Sequence, residues 1–318
     1  YHPSTAYVLL HHVFGQVNGK TGAWGHAHGG MGSITQALAK SAQASGVIIK
    51  TEAEVVGALL NENKIDGVRL SDGEEYRSKV VIANCHPNIL FGNIIKYDEL
   101  PEDFCRRMKG YRSESGSFRI NLALSDLPKF PQLKAFDVRP EILLNGSNNI
   151  APSISYIEKA YQDAREFGWS EEPVIEFCLS SLIDDSLAPD GAHVMSMFSQ
   201  HFRRYLPNST SWVDEKDRAA DLIINTVERY SPGFQKLIVG KQINSPLDIE
   251  EKLNMVGGDI FHGALHLDQL YSMRPVAGAG NYRMPISGLY LGGSGAHPGG
   301  GVSGLPGKNC ANAVLQDM

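Results

Sequence analysis

The sequence lacks cysteine pairs of the kind that carry out redox chemistry. Its four cysteines stand far apart and form no C-x-x-C pair; they are Cys85, Cys105, Cys178 and Cys310. A C-x-x-C pair is a usual signature of a redox-active disulfide. The wide spacing instead predicts single thiols, buried in a protein from a reducing compartment.

Long apolar runs and an excess of positive charge are also missing. No apolar run reaches the roughly 18 residues that a membrane helix needs, so no transmembrane segment is predicted. The formal net charge is −6 and the pI about 6.0, which argues against nucleic acid as the main partner. The chain opens at Tyr1 rather than at a methionine. We therefore expect a portion of a longer protein, with any targeting signal outside this chain.

Two glycine motifs for nucleotide phosphates are absent from their usual context as well. The sequence contains no G-x-x-x-x-G-K-[ST], and its one G-x-G-x-x-G spacing, Gly299 to Gly304, does not directly follow an apolar strand-like run. Gly278-Ala279-Gly280 lacks the third glycine and a helical pattern after it. A strand–glycine–helix unit for a dinucleotide pyrophosphate is therefore not expected in this chain.

Glycine itself is abundant, with 33 residues that concentrate at 15–32 and 288–307. Such clusters are typical of backbone that turns sharply or approaches a ligand closely. A flexible linker is the alternative, but both clusters contain histidine, which flexible linkers lack.

Apolar periodicity predicts regular structure along most of the chain. A helix is predicted from Met31 to Ser45, ended by Gly46. The expected strands cover residues 7–10, 47–60, 65–70, 76–85, 118–124, 174–179 and 194–199. A second helix is predicted over 215–230, and the segment 130–170 is expected to be irregular.

The segment after Gly288 carries the strongest functional signal. It predicts a strand at Leu289 to Leu291, a turn from Gly292 to Gly304, and a helix beginning near Val302. Strand, glycine turn and helix together present backbone N–H groups to an anionic ligand. A purely structural β-turn-α unit is the alternative. A flat ligand could lie against the bare backbone, with the positive helix end directed at it.

The run GLYLGGSGAHPGGGVSGLPGKNCANAVL resembles the C-terminal FAD-binding signature of the phytoene-desaturase branch of the amine-oxidase-like flavoproteins. Similar segments extend over nearly the whole chain. They are AWGHAHGGMGSITQALAKSAQASGVIIKTEAEV, VVIANCHP and LNMVGGDIFHGALHLDQLYSMRP. The last of these resembles an animal-type member of the family that is associated with mitochondria.

The resemblance implies FAD as the cofactor of the complete protein. The implied cofactor-binding residues are Gly29, Gly30, Val55, Gly292, Gly293, Ser294, Gly295, Pro298, Gly299, Gly300, Gly301 and Val302. Without the family's initial G-x-G-x-x-G unit, this chain alone is not expected to hold FAD tightly or to be active.

The resemblance also implies an α/β fold. We expect an incomplete Rossmann-like, glutathione-reductase-type FAD-binding domain interleaved with a mixed-sheet α+β substrate domain. The expected FAD-binding segments are 31–85 and 266–318. Residues 86–265 would form the substrate domain, and 1–30 would lie at its junction with the flavin site.

The activity implied for the complete protein is FAD-dependent oxidation. It would remove hydride from a C–H bond of an apolar or amine-like small molecule onto flavin N5. A non-catalytic flavoprotein-derived scaffold or regulator is the alternative. The implied location is mitochondrial, with the cytoplasm as alternative; peripheral membrane contact and homo-oligomers are left open.

Histidines form two further groups. His26 and His28 form an H-x-H motif near His11 and His12, a spacing that could suit a metal. No acidic or cysteine residue stands close to it, so no metal site is predicted, and pocket lining or ordinary loop roles are favoured. The other group is His262, His266 and Asp268. No H-E-x-x-H is present, so loop packing over the cofactor pocket is favoured there over catalysis.

Single residues complete the candidates. His297, inside the glycine turn, could relay a proton or shape the turn by a hydrogen bond. Arg274 and Arg283 could each hold an anionic group bidentately, or lie on the surface. Trp24 could stack beside a planar ring or belong to the core.

Overall fold

The computed structural model describes residues 16–114 and 116–318. The predicted strand at 7–10, together with His11 and His12, lies outside these residues. The described chain mixes α-helices and β-sheets, and it divides into two compact units. The first unit comprises 16–24, 50–114 and 250–318, and the second unit comprises 25–49 and 116–249. These boundaries differ from those of the expected functional domains, whose assignment stays a prediction.

Within the described residues the strands are β1 (Gln16–Val17), β2 (Lys20–Thr21), β3 (Val55–Asn61), β4 (Lys64–Leu70), β5 (Glu75–Arg77), β6 (Val81–Ala83), β7 (Ser117–Leu124), β8 (Asn148–Ile150), β9 (Trp169–Cys178), β10 (His193–Phe202), β11 (Ile238–Asn244) and β12 (Leu289–Leu291). The α-helices are α1 (Gly32–Ala44), α2 (Pro87–Leu90), α3 (Glu102–Met108), α4 (Pro140–Leu144), α5 (Ile154–Phe167), α6 (Trp212–Tyr230), α7 (Pro246–Leu253) and α8 (Leu305–Asp317). None of the helices in this part of the chain is both long enough and apolar enough to cross a bilayer.

The second unit is built on a five-stranded sheet in the order β11-β7-β10-β9-β8. Alternate residues of β7 are buried, because successive side chains of a strand point to opposite faces. These residues are Phe118, Ile120, Leu122 and Leu124. They share one core with the buried residues of α6, whose N-terminus is capped by Ser211.

The first unit contains two smaller sheets. Strands β3, β4 and β5 form an antiparallel meander, as the sequence predicts. Strands β6 and β12 form a separate parallel pair, in which Leu289 lies opposite Val81 and Leu291 opposite Ala83. Leu289 and Leu291 are buried in the same core as Phe91 and Phe104.

Several expectations about elements are wrong. The sheet of the second unit is antiparallel throughout rather than mixed. The single strand expected over 76–85 is two strands in two sheets, because the Ser78 hydroxyl turns the backbone by bonding Val80. Residues 47–50 form no strand, and the side chain of Ile48 is exposed.

Two helices also differ from expectation. The segment 130–170 contains α5, which begins where the Ser153 hydroxyl accepts from Tyr156 N and ends at left-handed Gly168. The last helix begins at Leu305, not near Val302. Val302 has φ 56° and Gly304 φ 67°, and neither value continues a right-handed helix.

Candidate functional site

The parallel pair β6–β12 brings two chain segments together at one edge. Both strands end there, because the carboxyl ends of parallel strands share a sheet edge. Asn84 follows β6, and the glycine turn follows β12. Gly292 N donates to Ala83 O at 2.8 Å, which extends the pairing by one residue. The glycine turn therefore starts from a fixed backbone position.

A cavity of about 370 Å³ lies against this turn. Its lining combines backbone from the turn with the first residues of α8. The lining residues are Ile82, Asn84, Gly292, Gly293, Ser294, Gly299, Gly300, Gly301, Val302, Ser303, Gly304, Pro306 and Gly307. Seven residues predicted to bind a cofactor thus line one cavity in the first unit.

The glycines of the turn serve two different purposes. A Cβ on Gly293 would lie 2.6 Å from Asn84 O, and one on Gly295 would lie 2.6 Å from Pro87 Cγ. These glycines are needed because protein atoms already fill the space. A Cβ on Gly301 or Gly304 would have no heavy atom within 4 Å. Only these two glycines leave open space where a side chain would point, which corrects the idea of one uniformly bare surface.

Arg274 lies directly beneath the turn and is fully buried. Its Nε and Nη2 atoms donate to Ser294 O at 3.0 and 2.8 Å, and Nη2 also donates to Phe261 O at 2.7 Å. A Cβ on Gly299 would lie 3.4 Å from Arg274 Nε. The surface position considered for this arginine is therefore wrong: its planar fork fixes the Ser294 carbonyl of the turn and places a positive charge behind it.

A buried polar cluster surrounds the same arginine. His86 Nδ1 accepts from Asn88 N at 3.0 Å, so the proton of the neutral ring is on Nε2, which donates to Ser113 Oγ at 2.8 Å. Ser113 Oγ in turn donates to Val256 O. Burial, followed by the charges of His262 and Arg274, lowers the pKa of His86 to about 3. His86 is therefore neutral near pH 7.

His262 lies beside His86, with ring centroids 5.5 Å apart. Its Nδ1 is buried without a hydrogen-bond partner, and its carbonyl accepts from the Tyr111 hydroxyl. Burial raises the pKa of Tyr111 to about 12 and also raises the pKa of Asp259. Residues 262–266 form no helix, in keeping with the loop favoured for them from the sequence.

Five predicted cofactor-binding residues do not line the cavity: Gly29, Gly30, Val55, Gly295 and Pro298. Val55 lines a different cavity of about 500 Å³ in the first unit. Gly29 and Gly30 belong to the second unit, where Gly29 N donates to Asp184 Oδ2 at 2.7 Å. The roles of all five stay predictions.

His297 also lies outside the cavity lining. Its carbonyl accepts from the Tyr282 hydroxyl at 3.1 Å, and its ring lies 5.8 Å from that of Tyr271. Burial, then Arg274, lowers the pKa of His297. This geometry favours a role in shaping the turn; proton relay stays a prediction.

The remaining candidates have simpler surroundings. Arg283 forms a two-point ion pair with Asp317, and Asp268 pairs with Arg112, so neither is available for a ligand. Trp24 is 75% exposed and is not a core residue. All four cysteines are free, with Cys105 and Cys310 buried and the other two partly so.

Sequence reasoning missed the residues that hold two glycine turns: Arg274 for the turn from Gly292 to Gly304, and Asp184 for a second turn at Gly29 and Gly30. Arg274 stands 20 residues from Ser294, and Asp184 stands 155 residues from Gly29. A single sequence gives no signal for such pairs. Their importance becomes visible only in the structure, where a fully buried charge is rare.

Comparison with known proteins adds independent information. No protein-family model matches the chain. The chain is 40% identical over 325 residues to pyridine nucleotide-disulfide oxidoreductase domain-containing protein 2 of Rattus norvegicus, which covers 99% of this chain and 55% of the rat protein. The predicted family resemblance is confirmed. Similarity to the chloroplast prolycopene isomerase of Arabidopsis thaliana is 26% over 299 residues, covering 91% of this chain and 45% of that protein.

Two solved structures share the fold. An oxidoreductase from Methanosarcina mazei has a TM-score of 0.56 at 17% identity, covering 92% of this chain and 55% of its own. A redesigned putrescine oxidase has a TM-score of 0.54 at 14% identity, covering 90% of this chain and 53% of its own. The α/β class is confirmed, while the interleaving of domains stays a prediction. The chain spans about half the length of the curated relatives it matches.

Proposed function

We propose that the complete protein is an FAD-dependent oxidoreductase and that the glycine-turn cavity holds part of the flavin cofactor. The observation that carries this proposal is the position of the cavity, at the carboxyl edge of the β6–β12 pair. Open α/β sheets bind ligands at this edge. The cavity volume of about 370 Å³ is near the lower end of ligand sites, which span about 300–1,000 Å³. A site completed by the rest of a longer protein fits that size.

The residues present suit a large, flat, partly anionic group. Gly301 and Gly304 leave open space in which a Cβ would obstruct such a ligand. Ser294 and Gly300 bring backbone to the cavity wall. Arg274 donates a hydrogen bond to the Ser294 carbonyl and contributes a buried positive charge beneath it. Together these features favour the approach of negative charge to the turn.

When bound, the flavin would supply the hydride acceptor. The chain's own contribution is to bind and orient it: the turn gives close backbone contact, and Arg274 keeps that backbone in place without reorganisation. Proton movement is not assigned to His86, because its depressed pKa keeps the ring neutral near pH 7.

The proposed substrate is a small apolar or amine-like molecule that loses hydride from carbon. Support comes from the names of proteins that this chain resembles, a prolycopene isomerase and a putrescine oxidase, which between them act on one apolar and one amine compound. A mitochondrial location is part of the same proposal and would be checked by imaging the tagged complete protein.

The test uses the complete protein, incubated with FAD, desalted, and examined by visible absorption. We expect the wild type to stay yellow and Gly301→Val to lose most of its flavin, because Gly301 faces open cavity space at φ 134°. Gly73→Val is the matched control. Gly73 also has positive φ and open space, but it lies in the β4–β5 turn away from the cavity lining.

Equal flavin content in wild type and Gly301→Val would contradict the assignment of the cavity. A colourless wild type would contradict the proposal that the complete protein binds FAD. If flavin is retained, anaerobic addition of amines and of apolar polyenes tests the activity, since bleaching of the flavin band reports hydride transfer. A flavin that no member of either class bleaches would contradict the proposed substrate class.

A further inference from the structure

A second convergence of ligand-type side chains lies in the second unit, at the H-x-H turn. At its centre is Asp184, whose side chain is 1% exposed. Its carboxylate accepts from Gly29 N at 2.7 Å, from Ser186 Oγ at 2.5 Å and from His26 Nε2 at 3.1 Å. These hydrogen bonds fix the orientation of the Asp184 carboxylate.

Two more side chains with metal-ligand atoms, His28 and Asp185, lie near it. His28 Nε2 lies 3.5 Å from Asp184 Oδ1 and 4.0 Å from Asp185 Oδ1, and one ligand atom from each of these three residues lies within 4.8 Å of the others. Zinc–nitrogen and zinc–oxygen bonds of about 2.0–2.2 Å place two donors of a tetrahedral ion about 3.3–3.6 Å apart. His28 and Asp185 are exposed, so small rotations of their side chains bring all three donors to that spacing.

The contacts of His28 are longer than the hydrogen bonds that Asp184 accepts. The 3.5 Å separation is at the limit of a hydrogen bond, and the 4.0 Å separation lies beyond it. Two carboxylate side chains beside one imidazole present acidic oxygens whose charge a divalent cation would balance. His26 contacts the opposite oxygen of Asp184, the position of an outer-shell group that orients a metal-binding carboxylate.

From this convergence we propose that His28, Asp184 and Asp185 bind a divalent transition-metal ion of the zinc type, with His26 orienting Asp184. Three protein ligands leave a further position for water, as in open zinc sites. The chemistry of the donors, imidazole nitrogen and carboxylate oxygen, suits Zn²⁺, Co²⁺ or Mn²⁺ better than copper in its thiolate sites. This site is independent of the flavin proposal, because no residue of the glycine-turn cavity takes part in it.

The test is calorimetric titration of the metal-free protein with Zn²⁺, together with the visible spectrum of the Co²⁺ form. We expect one equivalent to bind and to produce ligand-field bands. His28→Gln and Asp185→Asn should each weaken Zn²⁺ binding at least about tenfold, and His26→Gln about 10- to 100-fold. Asp190→Asn is the matched control, because it removes the same charge from an exposed position five residues beyond Asp185.

Absence of saturable binding at one equivalent in the wild type would overturn the site. So would wild-type affinity in both His28→Gln and Asp185→Asn. Because these two side chains are exposed, both variants should keep the far-UV circular dichroism of the wild type, and weaker binding then reports lost ligands. If Asp190→Asn weakened Zn²⁺ binding as much as Asp185→Asn does, the loss would report surface charge rather than a lost ligand, and the proposal would also be overturned.

Discussion

The two glycine turns of this chain are each held by one buried charged side chain, and the two charges are opposite. Asp184 accepts the N–H of Gly29, whereas Arg274 donates to the carbonyl of Ser294. A carboxylate that takes up N–H groups leaves its turn electronegative and suited to a cation. A guanidinium that takes up carbonyls leaves its turn electropositive and suited to an anion. If both proposals hold, the buried charge behind a turn, rather than its glycine content, decides the charge of the ligand.

The largest effect should come from removing the buried cation. Arg274→Met leaves the carbonyls of Ser294, Phe261 and Gly263 without their donor inside the protein. We expect a loss of about 4 kcal/mol or more in the free energy of unfolding, measured with urea. Arg274→Lys keeps the charge but loses the planar fork. Its free energy of unfolding should lie between those of the wild type and Arg274→Met.

The control for this prediction is Arg283→Met, which removes an arginine that pairs with Asp317 at the surface. It should cost far less stability, because exposed ion pairs contribute little. If Arg274→Met proved as stable as Arg283→Met, the turn would be held by its own backbone, and the comparison between the two turns would fail.

A smaller effect separates the two kinds of glycine within one turn. Gly293→Ala places a methyl group 2.6 Å from Asn84 O, and such overpacking should cost about 1–3 kcal/mol of stability. Gly57→Ala is the control: it sits in β3 with no atom within 4 Å of the added Cβ and without positive φ. Its stability should match or slightly exceed that of the wild type. Urea unfolding distinguishes the two, and equal costs would contradict a packing role for Gly293.

An effect of similar size is expected in the pH dependence of stability, from His86 beside Arg274. Because the pKa of His86 falls from 6.5 to about 3 on folding, the unfolded state binds more protons between these values. The stability that the neutral ring contributes is therefore present above pH 6.5 and is lost as the pH falls towards 3. Between pH 7 and pH 5 the loss should be about 2 kcal/mol.

His86→Gln should remove that part of the pH dependence, as measured by urea unfolding at pH 7 and pH 5. The wild type, measured in the same buffers at both pH values, supplies the reference slope. An unchanged slope in His86→Gln would show that the buried ring gains its proton without unfolding.

Local signals made part of this structure predictable. Gly46 follows the end of α1 by two residues, and the apolar run Leu289–Leu291 is β12 within its expected bounds. The glycine turn was recognised because its composition differs so strongly from its surroundings. Where local signals conflicted, prediction failed: Pro152 and the asparagines before it concealed α5, although Ser153 and Gly168 mark both of its ends.

Two other failures have a long-range cause. Tyr76 to Cys85 was expected to be one strand, but β5 pairs with β4 and β6 with β12, more than 200 residues away. Asp184 and Arg274 gave no sign of their roles, since the bonds that explain their burial form only in the folded chain. The family resemblance identified much of the cavity lining, but not the charge behind it.

Helix α1 contains no buried residue, whereas seven residues of α6 are buried. Backbone amides exchange with solvent at a rate set by the free energy of the opening that exposes them. The amides of α1 can exchange after a local opening of the helix. The amides near Ile223 exchange only when the core that α6 shares with the sheet is disrupted. In deuterium the two helices should therefore label on very different timescales, although their hydrogen-bonded backbones look alike.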